Sequence, residues 1–316
     1  MTTTTKGFNQ MYNNFKTEFK PYLDTLKEDN NTLKDHFNND TFIKEVRKQA
    51  RERIAKAFNP ITKKFKWSML PSLLSNNPKL IKNEKIDCLT NGLMLAPSHW
   101  SNYNTCSNAS FGCGLNCLTQ SGHGERHMQT NGVHHVHIAR MVRTILFFEY
   151  RELFLDKLFR EITNFESKAK RLGKVCGIRL NTMSDIRWEN VKFNDKTFFD
   201  HFPNVSFYDY TKDIKRDINH IPNYHLTFSL NERNSLLIGL AFRKGMNVTV
   251  VIRNKKLGKE WQDKPTSYSI HGITKQAIDG DLHDYRPIDG KDKFVLLNPK
   301  GKDTLKDTTG FVKELN

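Results

Sequence analysis

Three cysteines fall close together in the run Asn104-Thr-Cys-Ser-Asn-Ala-Ser-Phe-Gly-Cys-Gly-Leu-Asn-Cys-Leu118, where Cys106, Cys113 and Cys117 make a C-x6-C-x3-C spacing. Gly112 and Gly114 flank the middle cysteine and short polar residues fill the gaps, so the backbone can fold back and aim three sulfurs at one centre. Three thiolates from one loop suit a soft metal. One candidate is a 4Fe-4S cluster held by three protein cysteines, with the fourth iron open to a small molecule. The other is zinc completed by a histidine, and His123, His127, His134, His135 and His137 follow the loop. Zinc ligands usually pair two to four residues apart, and one gap here is six, so the spacing leaves both open. Ordinary buried thiols are the plain alternative. A disulfide is a weaker reading, because nothing secretory precedes the loop and three cysteines leave one unpaired.

The elements that must position this loop come in two textures. Residues 1–85 read as a helical, basic appendage. Phe8, Met11, Tyr12, Phe15, Phe19, Tyr22 and Leu26 recur at helical steps, with Pro21 expected to kink the helix. A second stripe, Phe42, Ile43, Val46, Ala50 and Ile54, has Asn39 or Asp40 to cap its start and Asn59-Pro60 to end it. Its other face carries Lys44, Arg47, Lys48, Arg51, Arg53 and Lys56, followed by Lys63, Lys64 and Lys66 around Phe65 and Trp67. Basic residues interleaved with aromatics suit nucleic acid, charge holding phosphates and rings stacking on bases; a merely solvated face gives the same pattern.

Residues 86–316 read as an α/β domain. Apolar runs at 86–95, 175–180, 205–210, 225–228, 248–252, 268–270 and 294–297 alternate with helical patterns at 137–172, 197–202 and 232–244, and Gly173 is placed to end the long one. Strands alternating with helices imply a mainly parallel sheet, either open and doubly wound or closed as a (β/α) barrel. Each run releases polar residues at its C-terminal end. Arg179, Asn181, Ser184 and Asp185 follow one; Asp209, Tyr210, Thr211 and Lys212 the next; Ser229, Asn231 and Glu232 the third. Arg253, Asn254 and Lys300 follow later ones. Strand-to-helix loops converge at that face in parallel α/β folds, so the cysteine loop is expected to open onto the same mouth. Ser184-Asp185 is equally a helix cap, and Lys212 and Glu232 equally solvated charges. Asp279, Asp281, Asp284 and Asp289 miss the EF-hand spacing and fit a turn-rich acidic loop, with Arg286 as carboxylate partner or anion clamp. The histidines at 134, 135 and 137 suit a cap or core better than a metal. Cys88 and Cys176 lie on expected strands and read as core. No Walker loop, dinucleotide glycine fingerprint or Gly-x-Ser-x-Gly elbow is present.

Fifty Lys and Arg against 34 Asp and Glu give a formal charge of +16, which favours nucleic acid or nucleotide phosphates as partners, although an Asn- and Lys-rich genome produces the same excess. No run approaches the ~20 apolar residues of a membrane span. With no signal peptide at Met1 either, a reducing cytoplasm is expected, where cysteines bind metals or stay thiols.

Five short motifs occur in order: the cysteine loop, Arg179-Leu-Asn-Thr-Met-Ser-Asp185, Phe207-Tyr-Asp-Tyr-Thr-Lys212, Leu226-Thr-Phe-Ser229 and Asp279-Gly-Asp-Leu-His-Asp-Tyr-Arg286. With Asn298-Pro-Lys-Gly301 and Gly310-Phe311 they resemble the phage gene product 88 family over roughly residues 86–312. That family's layout is distantly similar to radical S-adenosylmethionine enzymes, whose usual C-x3-C-x2-C is here C-x6-C-x3-C. The resemblance implies a (β/α) barrel, often incomplete, with the cysteine loop after its first strand, working in the cytoplasm of an infected host cell. It implies that Cys106, Cys113 and Cys117 hold a 4Fe-4S cluster whose open iron binds S-adenosylmethionine. A reduced cluster, fed by an electron donor, would cleave the sulfonium to a 5′-deoxyadenosyl radical that takes hydrogen from a substrate. Ser184, Asp185, Ser229 and Asn231 would bind cofactor polar groups, and Lys212, Arg253 and Lys300 an anionic substrate, a nucleotide or nucleic acid. Two other functions fit the residues: a noncatalytic, metal-stabilised nucleic-acid-binding protein that uses the N-terminal basic helices, and a zinc hydrolase that uses the histidines, His127 among them.

Overall fold

The computed structural model describes residues 3–117, 135–254 and 263–315, and of the residues before Pro21 and of 302 and 303 only the backbone. The aromatic stripe from Phe8 to Phe19 and the histidines at 123, 127 and 134 therefore lie outside the described side chains. One large, mostly parallel sheet organises the chain. Its strands are β1 (Leu74–Ser75), β2 (Cys88–Leu93), β3 (Val175–Arg179), β4 (Ser206–Thr211) and β5 (Tyr224–Ser229). β6 (Val248–Asn254), β7 (Ser267–Ile270), β8 (Ile273–Asp279), β9 (Phe294–Leu297) and β10 (Lys313–Leu315) complete it. Across the sheet the order is β7-β8-β9-β6-β5-β4-β3-β2-β1, with β10 also paired to β6. From β2 to β6 each strand lies parallel beside the one before it. β9 and β8 continue the parallel run, and only β1 and the β7–β8 hairpin are antiparallel.

Among the described residues the sheet does not close into a barrel. β1 and β7 are its two edges and do not pair with each other. Side chains bring the two ends together instead: Lys82 Nζ donates to the Asp281 carbonyl at 2.6 Å, and Asn83 Oδ1 accepts from the Asp284 and Tyr285 amides at 2.7 and 3.0 Å. The segment after β8 is thereby bound to the turn that leads into β2.

Alternation along the strands separates two faces. Leu89, Ile178, Phe207, Leu226, Val248 and Phe294 face the helices and are buried there. Arg179, Tyr208, Tyr210, Thr227, Ser229 and Thr249 occupy the other face, which is polar although largely buried. Burial on both faces is why the parallel strands read as continuous apolar runs.

The described α-helices of five residues or more are α1 (Thr3–Asn39), α2 (Thr41–Ala57), α3 (Phe111–Leu115), α4 (His135–Glu149), α5 (Arg151–Arg171) and α6 (Ile238–Arg243). α1 runs on through Pro21, longer than its expected stripe. Asp40 caps α2 as expected, its Oδ1 accepting from the Ile43 amide at 3.0 Å. Gly173 follows α5 with φ +64°, a conformation that favours glycine. α1 and α2 pack onto the α/β body: Leu33, Phe37, Ile43, Val46, Ala50 and Ile54 share one buried cluster with Leu89, Ile178 and Phe207. An amphipathic stripe needs a partner, and here the partner is the α/β body. The arginines on the basic face of α2 also have internal partners. Arg47 donates to the Trp100 carbonyl, Arg51 pairs with Glu149, and Arg53 donates to the Met69 carbonyl. Lys44, Lys48 and Lys56 remain exposed. No helix among the described residues is long and apolar enough to cross a membrane.

Candidate functional site

The loop after β2 is built around hydrogen bonds that fix where its cysteines point. Asn104 Oδ1 accepts from the Cys106 amide at 2.9 Å, and the Ser110 hydroxyl caps α3 by accepting from the Cys113 amide at 3.3 Å. From α1, Asn30 Nδ2 donates to the Ser107 and Ala109 carbonyls. From the turn after β5, Glu232 accepts from Ser110 Oγ at 2.8 Å and from the Gly112 amide at 2.6 Å. Near the C-terminus Asp307 accepts from Asn116 Nδ2 at 2.8 Å. At the two glycines a side chain would displace its neighbours. A Cβ at Gly112 would stand 2.2 Å from Thr309 Oγ1, and one at Gly114 2.4 Å from Leu33 Cδ2.

Cys106, Cys113 and Cys117 all line one cavity of about 180 Å3. Its walls include Phe37 from α1 and Ser184, Asp185, Lys212 and Ser229 from the strand ends, as the alternation of elements leads one to expect. Lys300 also borders it. Burial pushes the Cys106 thiol up to about 12, and the Cys117 and Cys113 sulfurs add to the rise. Cys113 is also raised by burial, against the pull of the Lys212 ammonium. Burial by itself would lower Lys212, but Cys113, Asp185 and Cys106 around it hold its pKa above the usual lysine value. Its Nζ donates to Ser229 Oγ at 3.2 Å. The donor set is thus three half-buried soft thiols lining one cavity beside the Lys212 ammonium, ligand types that suit a soft metal. Among the described residues no three His, Cys, Asp or Glu side chains are gathered into a group that could hold a metal ion.

The other expected site residues divide. Asp185 borders the cavity, but its carboxylate is fixed by Thr211 Oγ1 at 2.8 Å, the Lys212 amide at 2.8 Å and Arg216 at 3.1 Å. Ser184 Oγ donates to Asn181 Oδ1. Asn231 is buried off the cavity, where its Oδ1 accepts from the Arg233 and Asn234 amides and shapes the turn that carries Glu232. Arg253 is also off the wall; β10 comes alongside β6 and pairs Glu314 with it, and Arg253 Nη1 donates to the Leu305 carbonyl. His137 is a core residue packed against the Phe42 and Trp100 rings, and His135 is exposed. Cys88 and Cys176 are buried off the cavity, as expected of core thiols.

The acidic segment is a web of ion pairs. Lys264 holds Asp279 and Asp281, Lys300 reaches Asp281 at 3.3 Å, and Arg286 holds Asp289 at 3.0 Å. Asp284 binds Arg179 and Lys79, each at 3.0 Å, beneath the cavity. Sequence reasoning overlooked Lys79 and the Asp284–Arg179 pair. Lys79 lies in a short turn with no motif, and the pair joins residues 105 positions apart.

Asp209, on the helix-facing side, gives a test by pH. Burial raises its carboxyl to about 7, against the opposing pull of Arg179 and the Asn181 amide. A folded pKa above the unfolded one favours the protonated form, so its contribution to stability is full below about pH 4 and lost as pH rises to about 7. Urea unfolding at a series of pH values should show this decline in the native chain and a flatter profile in Asp209→Asn.

No curated protein and no solved structure matches the chain. The model of the family described as gene product 88 matches residues 71–314, a stretch that begins just before β1 and takes in the cysteine loop, every strand-end group on the cavity and the acidic segment. The chain belongs to the gene product 88 family.

Proposed function

We propose that the chain is an iron–sulfur protein in which Cys106, Cys113 and Cys117 hold a 4Fe-4S cluster over the chamber at the strand ends. The single observation that carries this reading is that all three thiols of one loop border the same cavity as Lys212, Ser184, Asp185 and Ser229. A cluster ligated by three cysteines keeps one iron free for a ligand, and bound with S-adenosylmethionine it supplies one-electron cleavage of the sulfonium. The chain's own part is to hold the loop through Asn30, Glu232 and Asp307, to place a positive charge at the thiols through Lys212, and to keep bulk water out with Phe37. The run of parallel neighbours from β2 to β6 in sequence order supports a layout like half of a (β/α) barrel, the arrangement on which radical S-adenosylmethionine enzymes are built. A cavity of about 180 Å3 favours a substrate of nucleotide size or smaller over a nucleic-acid strand.

The test is metal content and visible absorption of anaerobically purified protein, beside a variant with the three cysteines replaced by Ala. Broad absorption near ~400 nm with about four irons per chain, absent from the variant, is the expected result. Colourless protein with about one zinc would replace this reading with a zinc-stabilised or hydrolytic site. Iron without any binding of S-adenosylmethionine would leave a structural or redox cluster.

A further inference from the structure

The floor of the chamber, on the polar face of the sheet, contains more unsatisfied hydrogen-bonding capacity than a structural interior needs. Among the described residues Arg179 Nε, Tyr210 Oη and Thr249 Oγ1 are buried without a hydrogen-bond partner, and all three residues line the cavity. Arg179 and Thr249 are 4% and 3% exposed, so bulk solvent does not satisfy them. They stand on β3, β4 and β6, and on β5 between them Thr227 Oγ1 and His225 Nε2 also have no hydrogen-bond partner among the described residues. A buried donor left unmade is costly, and a row of them across four neighbouring strands calls for a ligand that supplies acceptors.

Charge identifies the kind of acceptor. Lys79, Arg179, Lys212 and Lys300 line the cavity against two wall carboxylates, Asp185 and Asp281. Asp185 is already taken by Arg216, and Asp281 is shared between Lys264 and Lys300 at 3.1 and 3.3 Å. The Tyr210 ring lies between cations, with Lys79 Nζ 5.2 Å and the Arg179 guanidinium carbon 4.5 Å from its centroid. Asp284 behind them satisfies part of this charge and holds the two cations in place.

We propose that this floor, formed by Arg179, Tyr210 and Thr249 with Lys79 and Lys300, is a binding subsite for the oxyanion group of a small ligand, a phosphate or carboxylate. It deepens the reading of the chamber given above by naming the substrate's recognised group, and it uses side chains other than the cysteines. A guanidinium, a phenol and a hydroxyl all donate, which suits an oxyanion with several acceptor oxygens. The apolar space above, walled by Phe37 and Val251, then takes the body of the ligand.

The experiment is a thermal melt of the purified full chain titrated with inorganic phosphate or with acetate at constant ionic strength, chloride serving as the control. One of the two anions should raise the melting temperature saturably beyond chloride, and whichever acts at lower concentration identifies the group. Thr249→Val and Lys300→Gln should each weaken that binding about tenfold, while Lys48→Gln on the exposed face of α2 should not. Thr249→Val has a second signature: by removing an unpaired buried hydroxyl it should melt higher than the native chain when no anion is present, which a purely structural threonine would not do. Equal shifts with chloride, or undiminished binding in both variants, would overturn the proposal. Repeating the titration after chelation separates it from the cluster reading. Anion binding that persists without iron upholds this subsite whatever the metal proves to be, and retained iron with no anion effect removes the subsite alone.

Discussion

Asp284→Ala is expected to destabilise the fold by about 3–5 kcal/mol, the usual result of removing one partner of a buried ion pair. The Asp284 side chain is fully buried and its two oxygens accept from Arg179 Nη1 at 3.2 and 3.0 Å. Lys79 Nζ stands 3.0 Å away, and the Tyr208 hydroxyl donates at 3.2 Å. Without the carboxylate, Arg179 would be an almost fully buried charge with no counter-charge in contact. Burial alone would raise the Asp284 carboxyl, but Arg179, then Lys79 and Arg286, bring it down to about 2. A depressed folded pKa contributes stability that is present above the unfolded value, near pH 4, and is lost as pH falls through about 2. Urea midpoints at pH 7 should therefore fall sharply in Asp284→Ala, and the gap to the native chain should narrow on acidification. A loss under ~1 kcal/mol at pH 7 would mean that water or Asp289 takes over the role.

Glu232→Ala should act from a distance on the cysteine loop and, if that loop holds the metal proposed above, on its retention. Glu232 stands on the turn after β5, yet each of its oxygens anchors the cysteine loop, one at Ser110 Oγ and the other at the Gly112 amide. Hydrogen bonds to a charged group contribute about 1.5–3 kcal/mol each, so removing both should cost about 3–6 kcal/mol locally. The expected result is a metal-release rate at least tenfold faster under chelator, with the global unfolding midpoint changed much less, since the loop opens without the sheet. Glu232→Gln keeps one acceptor for the Gly112 amide and should fall between. Unchanged metal retention in Glu232→Ala would show that Asn30 and Asp307 hold the loop without it.

Legibility in the sequence followed burial. The parallel strands near 175–180, 205–210 and 294–297 are sealed on both faces and read as apolar runs, so they were placed nearly residue for residue. β8 escaped, because Ile273-Thr-Lys-Gln-Ala-Ile-Asp279 exposes Thr274 and Gln276 on one face and so carries no apolar run. β1 and β10 are two and three residues long and leave no periodic trace. In the site, groups just past the strand ends could be expected to converge because parallel topology brings those ends together; Ser184, Lys212, Ser229 and Lys300 do. Arg253 follows the same rule but is intercepted by Glu314 on β10, a strand that the sequence hid. Lys79 and Asp284 belong to contacts between distant segments, which no local pattern encodes.

The joining of the sheet's two ends through Asn83 and the Asp284 amide spans 201 positions of chain. On a ribosome the N-terminal partner emerges long before the C-terminal one, and the cysteine loop also waits for Asp307 to hold Asn116. Such long-range closures come late in folding. The chamber is therefore a product of the finished chain. A nascent polypeptide presents its three thiols on a loop that is not yet clamped, so a cofactor of the kind proposed would find its finished site only after the chain is released.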